Sequence, residues 1–156
     1  VENLQDLFEA QHPDSRTYAS ISATGTGHDA IGEGYHRAVA ALKVAEARDA
    51  RCVHYRDLGL YKLLVSVGSK QVLKETYAEN LGPLAAYDEK NGTDYMEILR
   101  CYLEHNSSIQ EVAQITYVHR NTINYKLKRI RQILDCEFTQ EDRLRLIQAF
   151  YSKDLL

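Results

Sequence analysis

Between His119 and Arg131 the chain sets out His119, Arg120, Asn121, Thr122, Asn124, Lys126, Lys128, Arg129 and Arg131, with no acidic residue among them. These side-chain types can read and hold a nucleic acid. Arginine can donate two parallel bonds to guanine, and asparagine can pair both amide atoms with adenine. Lysine, arginine and hydroxyl groups bond phosphate oxygens and fix the register of a protein on a duplex. Base contact is expected from His119, Arg120, Asn121 and Asn124, and phosphate contact from Thr122, Lys126, Lys128, Arg129 and Arg131. Two of these positions have a second use: His119 opens the helix and Thr122 could equally stabilise its first turn; for Tyr125, beside them, packing is expected over a phosphate bond.

A segment with such residues needs a rigid mount. Ile123, Leu127, Ile130 and Leu134 recur at steps of four, three and four, which is one stripe of a helix. Arg120, Asn121, Asn124, Lys128 and Arg131 lie off that stripe. Upstream, Ser108 and Glu111 have capping-box spacing, and Val112, Ala113 and Ile115 give the helix that follows a small apolar face. Ala113 stands where two crossing helices would approach most closely, and Val118 is the apolar plug of the turn. A capped helix, a tight turn and a second helix with one basic, amide-rich face form the helix-turn-helix arrangement that lays a recognition helix in the major groove.

Charge is distributed accordingly. The chain of 156 residues carries net −3, yet His119–Gln132 holds five basic residues, leaving the remainder at −8. A local cationic patch on an acidic body suits a small directed contact with DNA. Hydrophobic content of 44% and charged content of 26% are those of a globular protein, and no apolar run is long enough to span a membrane. Cys52, Cys101 and Cys136 lack metal or redox spacing, which fits a reducing cytoplasm. His12, His28, His36, His54, His105 and His119 have no metal-binding spacing, so neither metal nor cofactor is expected. Gly25, Gly27, Gly32 and Gly34 fit no nucleotide-binding fingerprint, and Glu141-Asp142 reads as a helix start rather than a catalytic pair.

Along the chain, Leu4–Ala10 ends a helix and Arg16–Thr24 alternates as a strand. Gly25-Thr26-Gly27 is a turn. Asp29 caps a helix running to about Arg48, with Ile31, Tyr35, Val39, Leu42 and Ala45 on one face. Cys52–Tyr55 is a strand, and Asp57 caps a helix with Leu60, Leu64 and Val67 inward. After Gly68 the pattern is wholly helical. Lys70–Asn80 is one helix, Gly82-Pro83 punctuates it, and Leu84–Lys90 is a further turn or two. Thr93 or Asp94 starts a helix with Met96, Leu99 and Leu103 inward, and Thr139 with Asp142 begins a last one carrying Leu144, Ile147 and Tyr151. The expected fold is mainly α with a small α/β part, divided into 1–80 and an all-helical 81–156.

The run Val118-His119-Arg120-Asn121-Thr122-Ile123, with Tyr125-Lys126-Leu127 and Arg129-Ile130, resembles the C-terminal helix-turn-helix of the PucR/CdaR family of bacterial transcription regulators. Lys126 stands where that family usually has arginine and Thr116 where it usually has leucine. Tyr117 takes the turn position that many unrelated helix-turn-helix proteins give to glycine. The motif is also similar to that of NtrC-type activators. The likeness extends through Leu81-Gly82-Pro83-Leu84, Tyr87-Asp88 and Leu99–Glu104. More loosely, Tyr35–Ala38 and Asp57–Leu64 look like the degenerate GGDEF-like domain of that family.

The resemblance implies a partial GGDEF-like α/β segment without catalysis, because no Gly-Gly-acidic-acidic run is present. It also implies a cytoplasmic activator of a catabolic, metabolite-responsive operon, binding double-stranded operator half-sites as a homodimer or higher oligomer. The chain begins at Val1 without a signal-peptide pattern, and is read as a C-terminal piece of a longer regulator. Two other readings compete: an interaction module that keeps the fold without binding DNA, and an enzyme or nucleotide sensor using a pocket near Gly25–Tyr35.

Overall fold

The computed structural model describes residues 2–25 and 29–156. Thr26, Gly27 and His28 lie outside the described residues, as do the side chains of Asp29 and Val67, the expected cap and inward residue. Contacts divide the chain into two compact units, residues 1–69 with 154–156, and residues 70–153.

The first unit is built on α1 (Glu2–Gln11), β1 (Ala19–Ile21), α2 (Asp29–Ala47), β2 (Cys52–His54) and α3 (Tyr61–Val67). The strands are parallel, with Ala19 opposite Cys52 and Ile21 opposite His54. Parallel neighbours need a crossover, and α2 supplies it. Alanine and valine at Ala40, Ala41, Val44 and Ala45 form its buried face and let it lie close to both strands. The Gln5 side-chain amide donates to the carbonyls of Thr17 (3.0 Å) and Arg51 (2.8 Å), tying α1 to the chain leading into each strand.

Several expectations here need correction. The strand expected over Arg16–Thr24 is formed only at Ala19–Ile21, and the second ends at His54, where Tyr55–Asp57 turns as a 3-10 helix. The N-cap position of α3 is Leu60, not Asp57, and no side chain bonds its first turn. Ile31 and Tyr35 are exposed (81% and 68%) because the buried face of α2 begins further along, where the strands lie against it.

The second unit is all helical: α4 (Lys70–Asn91), α5 (Tyr95–Glu104), α6 (Ile109–Thr116), α7 (Arg120–Leu134) and α8 (Gln140–Asp154), the last residue of α8 belonging to the first unit. The chain is thus mainly α with a small parallel α/β part. Pro83 does not break α4, although a proline inside a helix forfeits one backbone bond and costs about 3 kcal/mol. Leu81 and Leu84, both fully buried, hold the helix on either side of it. The expected boundary at 80/81 therefore falls inside a continuous helix.

One core joins these helices. Leu81 and Leu84 of α4 meet Ile98, Leu99, Tyr102 and Leu103 of α5, Val112 of α6, Ile123, Leu127 and Ile130 of α7, and Leu146, Ala149 and Phe150 of α8. Of the residues expected inward on α8, Ile147 and Tyr151 are partly buried against the core, whereas Leu144 is exposed. Thr139 and Asp142 cap α8 reciprocally: the Asp142 carboxylate accepts from the Thr139 amide (3.0 Å), and the Thr139 hydroxyl accepts from the Asp142 amide (3.2 Å). The backbone bond from Thr139 is the main cause of the lowered pKa of Asp142.

Capping of α5 comes from a residue outside it. The Asp88 carboxylate of α4 accepts from the amides of Tyr95 (3.1 Å) and Met96 (2.8 Å) and from the Thr93 hydroxyl. Two otherwise unpaired first-turn amides are satisfied by one charged group that also favours the positive end of the helix. Asp88→Ala is expected to destabilise this unit by about 1–2 kcal/mol, the usual loss of a strong cap, read as a lower urea midpoint with an unchanged slope.

Candidate nucleic-acid interface

The mount is assembled from short-range chemistry. Ser108 is extended, and its hydroxyl accepts from the Glu111 amide at 3.3 Å, starting α6. Val112 is fully buried and Ala113 packs against the core, whereas Ile115 is exposed, since α6 is short and only one side of it meets α5 and α7. The Thr116 hydroxyl turns back to the Val112 carbonyl (2.7 Å). Tyr117 then takes a left-handed conformation, φ 54° and ψ 27°, and ends the helix. Val118 packs on the core as the plug of the turn. His119 is the N-cap of α7, and its Nδ1 accepts from the Asn121 amide at 3.2 Å. That bond requires Nδ1 to carry no proton.

Beyond the cap, α7 divides into two faces. Ile123, Leu127 and Ile130 are buried, and Leu134 packs beside them. Asn121, Asn124, Tyr125, Lys128 and Gln132 are all exposed and share the opposite side of the helix. Arg120 and Thr122 are exposed at its first turn. An open groove of about 760 Å³ runs between α6 and the start of α7, lined by Gln110, Ala113 and Gln114 on one side and His119, Arg120, Asn121 and Asn124 on the other. All four residues expected to contact bases are therefore brought together along one groove.

The five residues expected on phosphates are not equivalent. Thr122 and Lys128 are exposed. The Lys126 ammonium is held by both carboxylate oxygens of Asp94 (2.5 and 2.6 Å), and its side chain is 18% exposed. The neighbouring Tyr87 hydroxyl is the main cause of the raised pKa of Arg129, which donates to Gln132 at 2.8 Å. Tyr87 itself stacks on Tyr95 with ring centroids 5.6 Å apart. The Arg131 guanidinium lies 4.9 Å from the centre of the Phe138 ring, a cation–π contact. Three of the four cations among them are thus engaged within the unit, and they brace α7 against α4, α5 and the loop before α8.

Sequence reasoning passed over two members of the outward face. Tyr125, for which packing was expected, is 61% exposed, and Gln132 was not singled out. Their signal was available: Asn121, Tyr125, Lys128 and Gln132 recur at steps of four, three and four, as the apolar stripe does. Among the described residues no three metal-ligating side chains cluster, and no helix is long and apolar enough to cross a membrane.

A short capped helix, a left-handed turn and a second helix with one face in the core and the other presenting amides and a cation define a helix-turn-helix domain. Residues 95–151 match the family model of the PucR C-terminal helix-turn-helix domain. Similarity to whole regulators extends further. The chain is 29% identical over 112 residues to the proline-responsive transcriptional activator PutR of Bacillus subtilis (strain 168), a match covering 70% of this chain and 27% of PutR. With the DNA-binding transcriptional activator AdeR of the same organism it shares 28% over 110 residues, 69% of this chain and 26% of AdeR. It is 31% identical over 137 residues to the carbohydrate diacid regulator of Escherichia coli (strain K12), 86% of this chain and 35% of that protein. The matches thus span about a quarter to a third of the length of these curated relatives.

Proposed function

We propose that this chain is the DNA-reading part of a transcriptional regulator, an activator of a metabolite-responsive catabolic operon. The observation that carries the reading is the exposed face of α7, Asn121–Asn124–Tyr125–Lys128, continuous with the groove at His119 and Arg120. In this reading Arg120, Asn121 and Asn124 contact base edges, and His119 assists them while its Nδ1 orders the first turn. Thr122 and Lys128 hold phosphates. Lys126, Arg129 and Arg131 set the angle of α7, and Arg129 or Arg131 reaches a phosphate only by exchanging its present partner. One recognition helix reads few base pairs, so pairing on two half-sites completes the recognition, and a cytoplasmic homodimer is the form expected to act.

The first unit is proposed to be a non-catalytic, GGDEF-like remnant. Its support is the parallel strand–helix–strand unit together with the absence of a Gly-Gly-acidic-acidic run from the sequence.

The test is a titration of wild type and Arg120→Ala onto a fluorescent duplex that the wild type prefers, and onto a scrambled duplex. Losing a bidentate base contact is expected to weaken the preferred duplex by roughly tenfold or more and to leave the scrambled one nearly unchanged. Equal loss on both duplexes would move Arg120 to the phosphates. Indifference of both would favour the interaction-module reading.

A further inference from the structure

Tyr117 is the least expected residue of the turn. It is 96% exposed and stands at φ 54° and ψ 27°, where a side chain meets steric resistance that glycine avoids. So exposed a ring can pack on little, so the fold gains little from keeping an aromatic in a strained conformation. Strain retained where packing does not reward it points to a role outside the fold. The position is suited to one. Tyr117 lies two residues before the N-cap of α7 and directly before Val118, which with His119 and Arg120 lines the groove. A helix entering the major groove with its first residues at the bases brings the turn before it against the sugar–phosphate wall. At that wall a phenol offers a neutral O–H donor.

From this placement, and resting on the DNA-reading function above, we propose that the Tyr117 hydroxyl donates a hydrogen bond to a backbone phosphate oxygen and thereby fixes the angle at which α7 enters the groove. Tyr117 is then a positioning residue, indifferent to sequence. Its contribution also differs in kind from that of Lys128, because a neutral donor displaces no condensed counterion.

The test uses the whole chain as wild type, Tyr117→Phe and Tyr117→Gly. Each is titrated onto a preferred duplex and a random-sequence duplex of equal length at several salt concentrations, and each is melted without DNA. Tyr117→Phe is expected to weaken binding to both duplexes by the same factor, about fivefold, with an unchanged slope of log affinity against log salt. Tyr117→Gly is expected to bind as weakly or more so while melting no lower than wild type.

Wild-type affinity in Tyr117→Phe would overturn the proposal and leave the DNA reading standing. Weakening confined to the preferred duplex would overturn it in favour of a base contact. A lower melting temperature for Tyr117→Gly would show that the ring supports the fold, removing the premise. Failure of the wild type to bind any duplex would reject the DNA reading and this proposal together.

Discussion

Ile123→Ala is expected to remove a large part of the stability of the helical unit. Ile123 is fully buried one turn into α7, in the core shared with α4, α5, α6 and α8. Truncating such a side chain loses its transfer free energy and leaves a cavity, together about 2–5 kcal/mol. Whole domains are stable by only about 5–15 kcal/mol, so the variant is expected to unfold at a clearly lower urea concentration than wild type. Urea denaturation followed by helical circular dichroism measures the loss. Asn124→Ala, one residue further on the exposed side, is the control and is expected to stay within about 0.5 kcal/mol of wild type. Comparable losses in the two variants would mean that α7 is not seated on the face described.

A second large effect is expected from charge, and it separates two lysines two residues apart. Lys128 is exposed on the outward face, whereas Lys126 is locked to Asp94. Lys128→Glu replaces a phosphate contact by repulsion. Affinity for a random duplex is expected to fall by roughly tenfold or more, and the slope of log affinity against log salt to shrink by about 1. Lys126→Ala is expected to leave that slope unchanged and to lower stability instead, because Asp94 loses its partner. Lys126→Ala would shrink the slope as well if Lys126 released Asp94 on binding, and salt titration of both variants resolves this directly.

The helix-turn-helix was legible because its determinants are local. The Ser108 cap, the plug at Val118 and the stripe Ile123–Leu127–Ile130 lie within a few residues of what they organise, and each is formed. What could not be read depends on distant partners. Nothing near Lys126, Arg129 or Arg131 in sequence announces Asp94 and Tyr87, which lie far upstream, or marks Phe138 as the ring beneath Arg131. Hence all three looked like free cations.

Periodicity has a related blind spot: it finds an apolar face without saying how far the neighbouring element extends along it. Ile31, Tyr35, Ile115 and Leu144 continue apolar patterns past the point where anything packs on them. Pro83 shows the opposite case. A local breaker was overridden by burial of Leu81 and Leu84 on both sides of it.

The central claim is that the exposed face of α7 reads a DNA sequence. Its most direct measurement is selection of this chain against a random duplex library, with Arg120→Ala selected in parallel. The expected result is enrichment of a short motif by the wild type, in two half-sites about one helical turn apart if the chain pairs, with loss of preference at specific positions in the variant. Recovery of no motif by this chain, or of the same motif by wild type and Arg120→Ala, would contradict it.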